Sequence, residues 1–241
     1  MAHRGVCHRF SVPLVPGRLL RRYKRFLADV MLDDGRVVTV HCPNSGSMKG
    51  CLEEGAPVYC SPNASPKRRT AYTWEMIRIN GGWVGINTGI PNILAARAAE
   101  NRALPLFKTV QRVAREVRLG EHSRIDLKVD SAEGPIFVEV KNVTLVEDGT
   151  ALFPDAVTSR GTRHLEELMH LRQRGIAAAM FYVVQRGDAV RFAPADAIDP
   201  VYAAACRKAV RAGVVMTAVR ARVTPERICL ERLLPLAFEI P

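Results

Sequence analysis

The chain has 241 residues, of which 48% are hydrophobic and 24% are charged, and its formal net charge is +11 at pH 7. These proportions are typical of a folded globular protein and exclude a disordered tail. The sequence contains no apolar run of the roughly 20 residues that a membrane helix needs, and no secretory signal, so we expect a cytoplasmic protein with no membrane partner. A chain of this length forms one large domain or two ordinary ones, and we expect two.

The excess of positive charge indicates an anionic partner, and nucleic acid is the commonest such partner of a basic protein. Residues 1–85 hold 13 Lys and Arg against 6 Asp and Glu, a balance of +7, so the basic part lies upstream. The alternative is a chain from a generally basic proteome, in which the charge implies no partner.

The six cysteines are scattered along a chain too large to depend on disulfides, so we expect free thiols in a reducing compartment. Cys42, Cys51 and Cys60 recur at intervals of nine residues, but the close pairs that are typical of zinc sites are absent. We interpret this interval as coincidence or as barrel geometry.

The N-terminal part predicts a small β-barrel or sandwich. After nine residues that we interpret as a loose start, short β-patterned runs extend from Phe10 to about Asn87. Turn signals such as Asp33-Asp34-Gly35 and Asn80-Gly81-Gly82 separate these runs. We place a domain boundary between residues 87 and 88, where the composition changes.

Basic and aromatic side chains interleave at two places in this first part. Basic side chains hold phosphates and aromatic rings stack on nucleobases, which is how small barrels bind single strands. The alternative is a solvated charged face with core aromatics. The first cluster comprises Arg18, Arg21, Arg22, Tyr23, Lys24, Arg25 and Phe26, and the second comprises Lys67, Arg68, Arg69, Tyr72 and Trp74. Between the clusters, the loop 43–50 is either a phosphate cradle or a plain connection.

The second part alternates helices and strands. Thr88 as a cap and Pro91 in the first turn predict a helix that runs to about Ala103 and carries Glu100, which is either exposed or reaches a metal site. Strands are predicted at 110–119, 124–130, 135–142, 177–185, 214–223 and 228–233. Helices are predicted at 162–174 and from Asp199 to Gly213, and the stretch before the first of them reads as irregular. This order predicts an α/β layer fold with a mixed sheet.

The strands 124–130 and 135–142 carry the candidate catalytic site. Alternate positions are aliphatic, namely Ile125, Leu127 and Val129 in one strand and Ile136, Val138 and Val140 in the other. If both aliphatic sets share a face of an antiparallel pair, Asp126, Glu139 and Lys141 lie together on the other face. A four-residue turn would place Asp126 directly opposite Glu139, with Cβ atoms about 5 Å apart.

Two carboxylates at that spacing suit Mg²⁺ or Mn²⁺ as a cofactor for phosphodiester hydrolysis. We therefore predict that Asp126 and Glu139 are metal ligands and catalytic residues. Lys141 would orient the attacking water or stabilise the pentacovalent phosphate, and Gln185, at the end of the next apolar strand, is a possible fourth catalytic residue. The alternative is an ordinary charged sheet surface.

Two resemblances to known families rest on these residues. The pattern D-x(12)-E-x-K at residues 126–141 resembles the signature of the PD-(D/E)xK nucleases. Six longer segments, in this order, are similar to the bacterial and archaeal sugar fermentation stimulation protein A (SfsA) family: G-R-L-L-R-R-Y-K-R-F-L-A-D-V, H-C-P-N-S-G-S-M, Y-T-W-E, S-R-I-D, E-V-K-N-V-T-L and F-P-D-A-V-T-S-R-G-T-R-H-L-E-E-L.

The resemblance implies an OB-like nucleic-acid-binding barrel over residues 1–87 and a PD-(D/E)xK nuclease-like α/β domain over residues 88–241. It also implies DNA binding without marked sequence preference and a proposed regulatory role in maltose metabolism. Two functions remain open at this point: a metal-dependent deoxyribonuclease, or a DNA-binding regulator without catalysis.

The resemblance also implies roles for individual residues. The nuclease-like site falls on Asp126, Glu139 and Lys141, with Arg124 beside them on the DNA side. Asp155 and His164 belong to family motifs, and their roles, catalytic or structural, stay open. A serine at position 45 replaces the Thr of many members and keeps the hydroxyl.

Overall fold

The computed structural model describes residues 5–63, 68–119 and 123–238, so Lys67 of the second basic cluster lies outside the described residues. The N-terminal strands are β1 (Cys7–Arg9), β2 (Val15–Tyr23), β3 (Leu27–Leu32), β4 (Val37–His41), β5 (Pro57–Pro62), β6 (Tyr72–Ile79) and β7 (Gly82–Gly85). They are followed by α1 (Gly89–Glu100), β8 (Val110–Leu119), β9 (Ser123–Ser131), β10 (Gly134–Val143), β11 (Leu145–Glu147), β12 (Thr150–Phe153), α2 (Ser159–Gln173), β13 (Ala177–Val184), β14 (Arg191–Pro194), α3 (Pro200–Arg211), β15 (Val215–Val223) and β16 (Arg227–Leu234). No described helix combines the length and the apolar character needed to cross a bilayer.

A closed five-stranded barrel forms the N-terminal part, which confirms the prediction of an OB-like fold. Its strands are ordered β4-β3-β2-β5-β6, and a parallel contact between His41 of β4 and Thr73 of β6 closes it, with β7 added beyond β6. Cys42, Cys51 and Cys60 are all buried in its core. Trp74 is fully buried there too and is a core aromatic.

A mixed seven-stranded sheet forms the second part, in the order β1-β16-β15-β13-β10-β9-β8. β13 runs parallel to β10 and to β15, whereas the other neighbours are antiparallel. One face packs under α1 and the other under α2 and α3, because their buried residues belong to two separate clusters. This arrangement confirms the predicted α/β class with a mixed sheet.

Two segments differ from the predicted elements. The first nine residues are not all a loose start, because Cys7–Arg9 pairs with β16 and thus belongs to the seven-stranded sheet. The stretch before α2 is not wholly irregular, because β11 and β12 form a small sheet with β14. The three strands β1, β11 and β12 are three or four residues long, which is too short for a period-two pattern to be read from the sequence.

The expectation of free thiols throughout is wrong for one pair, because Cys7 and Cys229 form a disulfide. The two residues are direct partners where β1 pairs with β16, although 222 residues separate them in the chain. Only the strand pairing brings them together. The remaining cysteines, Cys42, Cys51, Cys60 and Cys206, are free and buried.

The β9–β10 hairpin has the predicted register. Ser131 pairs with Gly134 across the turn and Leu127 pairs with Val138, and one further pair at this register would set Asp126 opposite Glu139. The ladder itself ends before that pair. The Oδ2 atom of Asp126 accepts a hydrogen bond from the backbone N–H of Val140 at 2.8 Å, and so occupies the place of a backbone acceptor.

The aliphatic face of β9 is interrupted at this point. Leu127 and Val129 pack beneath α1, whereas Ile125 packs in the cluster beneath α2 and α3, so the prediction that all three share one face is wrong. On β8, the residue facing Asp126 in register is Glu116, which has a φ of 53°. Such a backbone turn breaks the alternation of side chains along a strand. On both strands, the side chains therefore switch from one face of the sheet to the other beside the candidate site.

Residues before α1 tie the barrel to the sheet. Thr88 is the N-cap residue of α1, as predicted, but its side chain makes no capping hydrogen bond, because its hydroxyl donates to the carbonyl of Pro43 at 2.7 Å. The side chain of Asn87 accepts from the N–H of Gly89 at 3.0 Å instead. The start of α1 is thereby held against the barrel loop at 43–50, and this contact positions the first turn of the helix over the hairpin.

Candidate active site

A cleft of about 660 Å³ lies between the barrel and the seven-stranded sheet. Side chains from the barrel, from α1, from the hairpin and from the start of α2 line it. They include Arg22, Arg25, Asn92, Asp126, Glu139, Lys141, Asp155, Arg160 and His164. The three hairpin residues predicted to lie together, Asp126, Glu139 and Lys141, therefore share this cleft.

Asp126 lies at the bottom of the cleft with both oxygens engaged. Asn92 in the first turn of α1 donates to Oδ1 at 2.9 Å, and the N–H of Val140 donates to Oδ2. Burial, and after it the nearby carboxylate of Glu139, together raise the pKa of Asp126 to about 6. The site thus holds one carboxyl group that is costly to ionise in the absence of a neighbouring cation.

Glu139 is 3% exposed and is held by two side chains. Nζ of Lys141 donates to Oε1 at 2.6 Å, and Nδ1 of His164 contacts the same oxygen. Burial alone would raise the pKa of Glu139, but the hydrogen bond from His164 and the charge of Lys141 outweigh burial, and the pKa is lowered. Asp126 and Glu139 therefore have pKa values shifted in opposite directions although they line the same cleft.

The first turns of α2 bring two further residues to the carboxylates. The Thr158 side chain accepts from the N–H of Gly161 at 3.1 Å and so caps the helix. Arg160 and His164 lie one turn apart on the same face. Nε of Arg160 donates to Nε2 of His164 at 3.4 Å, which leaves the proton on Nδ1, toward Glu139. His164 thus contacts the site directly, and Arg160 orients it.

The barrel loop at 43–50 forms one wall of the cleft. Arg22 donates to the carbonyls of Asn44 and Gly46, each at 2.9 Å, and Arg25 donates to the carbonyl of Ser45 at 3.1 Å.

On the sheet side, Asp155 accepts from the N–H of Met48 at 2.7 Å through Oδ2. Ser47 Oγ donates to the carbonyl of Asp155, also at 2.7 Å. The N–H of Gly46 is bonded to Asn44 Oδ1 at 2.8 Å. Because these N–H groups already have acceptors inside the protein, the contacts favour a structural wall over a phosphate cradle. Asp155 has a structural role in this wall.

The other predicted nucleic-acid-binding residues lie outside the cleft. Arg18 donates to the carbonyl of Gly55 at 3.0 Å. Arg21 forms an ion pair with Asp29 at 2.8 Å and stacks over the ring of Tyr23, whose hydroxyl donates to the same carboxylate. Lys24, Arg68, Arg69 and Arg124 are exposed. Most of the first basic cluster therefore has partners within the protein.

Gln185 does not line the cleft, so the structure does not bring it to the carboxylates. It is fully buried, and Nε2 donates to the carbonyl of Asn87 at 3.2 Å and to Asn142 Oδ1 at 2.9 Å. Val143 pairs with Val184, so Gln185 follows the last paired residue of β13, three positions beyond the level of Lys141. Its catalytic role stays a prediction without a supporting contact.

The sequence interpretation missed two residues of the cleft and left open whether Glu100 belongs to it. Asn92 and Arg160 had no assigned role, and only the spacing of Arg160 and His164 by four residues hinted that they share a helix face. Glu100 is exposed at the end of α1, whereas Asn92 in the first turn reaches the site. Nothing local marks Asn92, because its contact with Asp126 spans 34 residues.

The donor set for a metal consists of two carboxylates. Within residues 5–63, 68–119 and 123–238, no three His, Cys, Asp or Glu side chains converge as a metal site. Asp126 and Glu139 alone match Mg²⁺, which commonly uses one or two carboxylates and completes its shell with water and phosphate oxygens. The pKa of Asp126 is elevated because its ionised form is disfavoured in the cleft, and a bound cation would stabilise that form.

Comparisons with known proteins agree along most of the chain. Residues 20–86 match the family model of the SfsA N-terminal OB domain, and residues 89–227 match that of the sugar fermentation stimulation protein RE domain. A sugar fermentation stimulation protein homolog from Geobacter sulfurreducens is 57% identical over 224 residues, which cover 93% of this chain and 96% of the relative. The homolog from Geobacter metallireducens is 54% identical over 229 residues, covering 95% and 99%.

A solved structure has the same fold. The structure of Pyrococcus furiosus SfsA in complex with Ca²⁺ aligns with a TM-score of 0.89 and 28% sequence identity, covering 96% of this chain and 98% of that one. Two family models and full-length relatives thus agree with the barrel and the mixed sheet. The chain belongs to the sugar fermentation stimulation protein family.

Proposed function

We propose that this protein binds DNA with little sequence preference and hydrolyses phosphodiester bonds with Mg²⁺ or Mn²⁺ at Asp126 and Glu139. The observation that carries the proposal is the meeting of these two carboxylates with Lys141 in one cleft between a basic barrel and the sheet. A cleft of about 660 Å³ has room for a nucleotide and its phosphates.

Asp126 and Glu139 would hold the metal, which supplies an activated water and offsets charge on the scissile phosphate when it is bound. Lys141 lies 2.6 Å from Glu139 Oε1, so its ammonium group is placed to stabilise the negative charge that develops on phosphate oxygens. His164 fixes Glu139, and Asn92 fixes Asp126, so both carboxylates keep their orientation without a ligand. Arg160 lines the same cleft and adds a second cation for phosphate.

Metal binding has support from a relative, because the Pyrococcus furiosus protein was solved in complex with Ca²⁺. Ca²⁺ and Mg²⁺ both prefer carboxylate oxygens, although they differ in size and coordination number. By similarity, we extend divalent-cation binding to this chain at Asp126 and Glu139.

The test is cleavage of fluorescent DNA during a titration with Mg²⁺ or Mn²⁺. Asp126→Asn and Glu139→Gln should each reduce the cleavage rate by at least about a hundredfold, since metal-assisted charge stabilisation supplies several kcal/mol. The matched controls are Asp130→Asn on the same strand and Glu133→Gln in the hairpin turn, both outside the cleft. Cleavage that persists unchanged in the Asp126 and Glu139 variants would refute the catalytic assignment.

A second function is a DNA-binding regulator without catalysis, linked to sugar metabolism by the family name. One observation favours it: Glu139 already has Lys141 and His164 as partners, so its charge is balanced without a metal. This function predicts salt-sensitive DNA binding by the wild-type protein and no cut product at any metal concentration.

A further inference from the structure

The outer edge of the seven-stranded sheet carries arginines that make no ion pair with any described residue. Arg118 on β8 and Arg124 on β9 are direct register partners, and both are exposed. Directly opposite like charges destabilise a sheet. Arg115, also exposed, lies three residues before Arg118 on the same edge strand. These three residues, here called the edge arginines, form a local concentration of positive charge that favours an anionic ligand.

The edge arginines adjoin the candidate active site. Arg124 precedes Asp126 by two residues on β9, and Arg115 pairs with Leu127, the next residue along. Glu116, with its positive φ, lies across from Asp126 and interrupts the strand between Arg115 and the Arg118–Arg124 pair. The edge arginines therefore lie on the β8 side of Asp126, whereas Lys141 and His164 lie on the β10 side.

The composition of this edge indicates which form of nucleic acid it fits. β8 reads V-Q-R-V-A-R-E-V-R-L and has no aromatic side chain on which a base could stack. Single-strand binding sites combine basic grooves with stacking aromatics, whereas a duplex keeps its bases inside and presents phosphates. A basic strand edge without aromatics fits the phosphates of a duplex.

We propose that Arg115, Arg118 and Arg124 hold the phosphate backbone of a DNA duplex that extends from the cleft along the outer edge of the sheet. This inference rests on the proposed function and adds that the DNA on the β8 side of the site is double-stranded. The barrel and the cleft hold the strand that reacts, and the sheet edge holds the adjoining duplex.

The competing explanation is that the charges protect an edge strand. β8 is the last strand of the sheet, and natural proteins place charged side chains on exposed edges to prevent pairing with other chains. Loss of edge protection would cause association of the protein and leave DNA binding unchanged, so the two explanations predict different results for the same variant.

The experiment measures the affinity of the full chain for a short labelled duplex and for the matching single strand across a series of salt concentrations, with EDTA present to prevent cleavage. The test variant is Arg115→Gln with Arg118→Gln. The matched control is Lys208→Gln with Arg222→Gln, which removes two exposed positive charges on α3 and on β15, away from the β8 edge of the sheet. Sedimentation of each variant reports its association state.

For the duplex, we expect the slope of log affinity against log salt to become shallower by about 2 in the test variant, because each phosphate contact contributes about 0.9. Duplex affinity should fall about tenfold or more, with single-strand binding and the control unchanged. An equal loss on both substrates, or a slope equal to that of the control, would overturn the proposal, as would association of the variant with unaltered duplex binding. Absence of DNA binding by the wild-type chain would instead refute the proposed function, and this inference with it.

Discussion

The barrel and the outer edge of the sheet both carry arginines, but these side chains have different surroundings. In the barrel, Arg22 and Arg25 bind carbonyls of the loop at 43–50, and Arg21 pairs with Asp29. At the sheet edge, Arg118 faces Arg124, and neither has an ion pair among the described residues. Clustering in the sequence marked the barrel as the DNA surface, yet much of its charge stabilises the protein itself.

This difference separates two uses of the same residue type. Arg22 donates to several carbonyls at once, so its removal would leave buried or half-buried acceptors without a donor. Removal of an edge arginine relieves repulsion and should cost no stability. Substitutions of the barrel arginines should therefore lower stability more than DNA binding, whereas substitutions of the edge arginines should lower DNA binding more than stability.

Arg22→Ala should lower the free energy of unfolding by about 2–3 kcal/mol, because hydrogen bonds from a charged donor to several carbonyls are lost together. Urea unfolding measures the change. Arg18→Ala is the matched control, since Arg18 is exposed and donates to one carbonyl, and its effect should stay within about 0.5–1 kcal/mol. Equal effects of the two variants would contradict a structural role specific to Arg22.

Asp126→Asn should become progressively more stable relative to the wild type as pH rises from about 4 to 7. The pKa of Asp126 is raised from 3.8 to about 6, first by burial and then by Glu139. Between these pH values the folded protein holds a proton that the unfolded chain releases, so wild-type stability falls as pH rises through this window and is level above it. The side chain of asparagine does not titrate, so the variant lacks this pH dependence.

In EDTA, the difference in unfolding free energy between Asp126→Asn and wild type should therefore grow by about 2 kcal/mol from about pH 4 to pH 7. Urea unfolding at several pH values measures it, and taking the difference between pH values cancels any constant change in hydrogen bonding. Asp130→Asn, on the same strand but outside the cleft, corrects for the loss of one carboxylate. A pH-independent difference would contradict the assigned pKa.

Gly46→Ala should destabilise the wall of the cleft by about 1 kcal/mol. A Cβ atom at this position would lie 2.9 Å and 3.0 Å from the carboxylate oxygens of Asp155, so that side chain must move away from the N–H of Met48. Gly187→Ala is the control, because nothing lies within 4 Å of its added Cβ. If the two substitutions have the same effect on urea unfolding, the wall does not depend on Asp155.

Much of the fold was predictable because its signals are local. The β9–β10 turn, the strand at 110–119 and the α2 and α3 helices follow from alternation, caps and breakers within a few residues. The face of Ile125 was not predictable, because it depends on the positive φ of Glu116 on a neighbouring strand. The level of Gln185 relative to the carboxylates was not predictable for a similar reason, since the parallel register with β10 sets it.

The sequence by itself determined that Asp126 and Glu139 lie at one level of the hairpin, with Lys141 two residues beyond Glu139, because the turn sets the register. Only the tertiary structure decided what surrounds them. His164 reaches Glu139 across 25 residues and Asn92 reaches Asp126 across 34, and these contacts arise where helices pack on opposite faces of the sheet. No local periodicity encodes such packing, so the hairpin was readable from the chain and the full cleft was not.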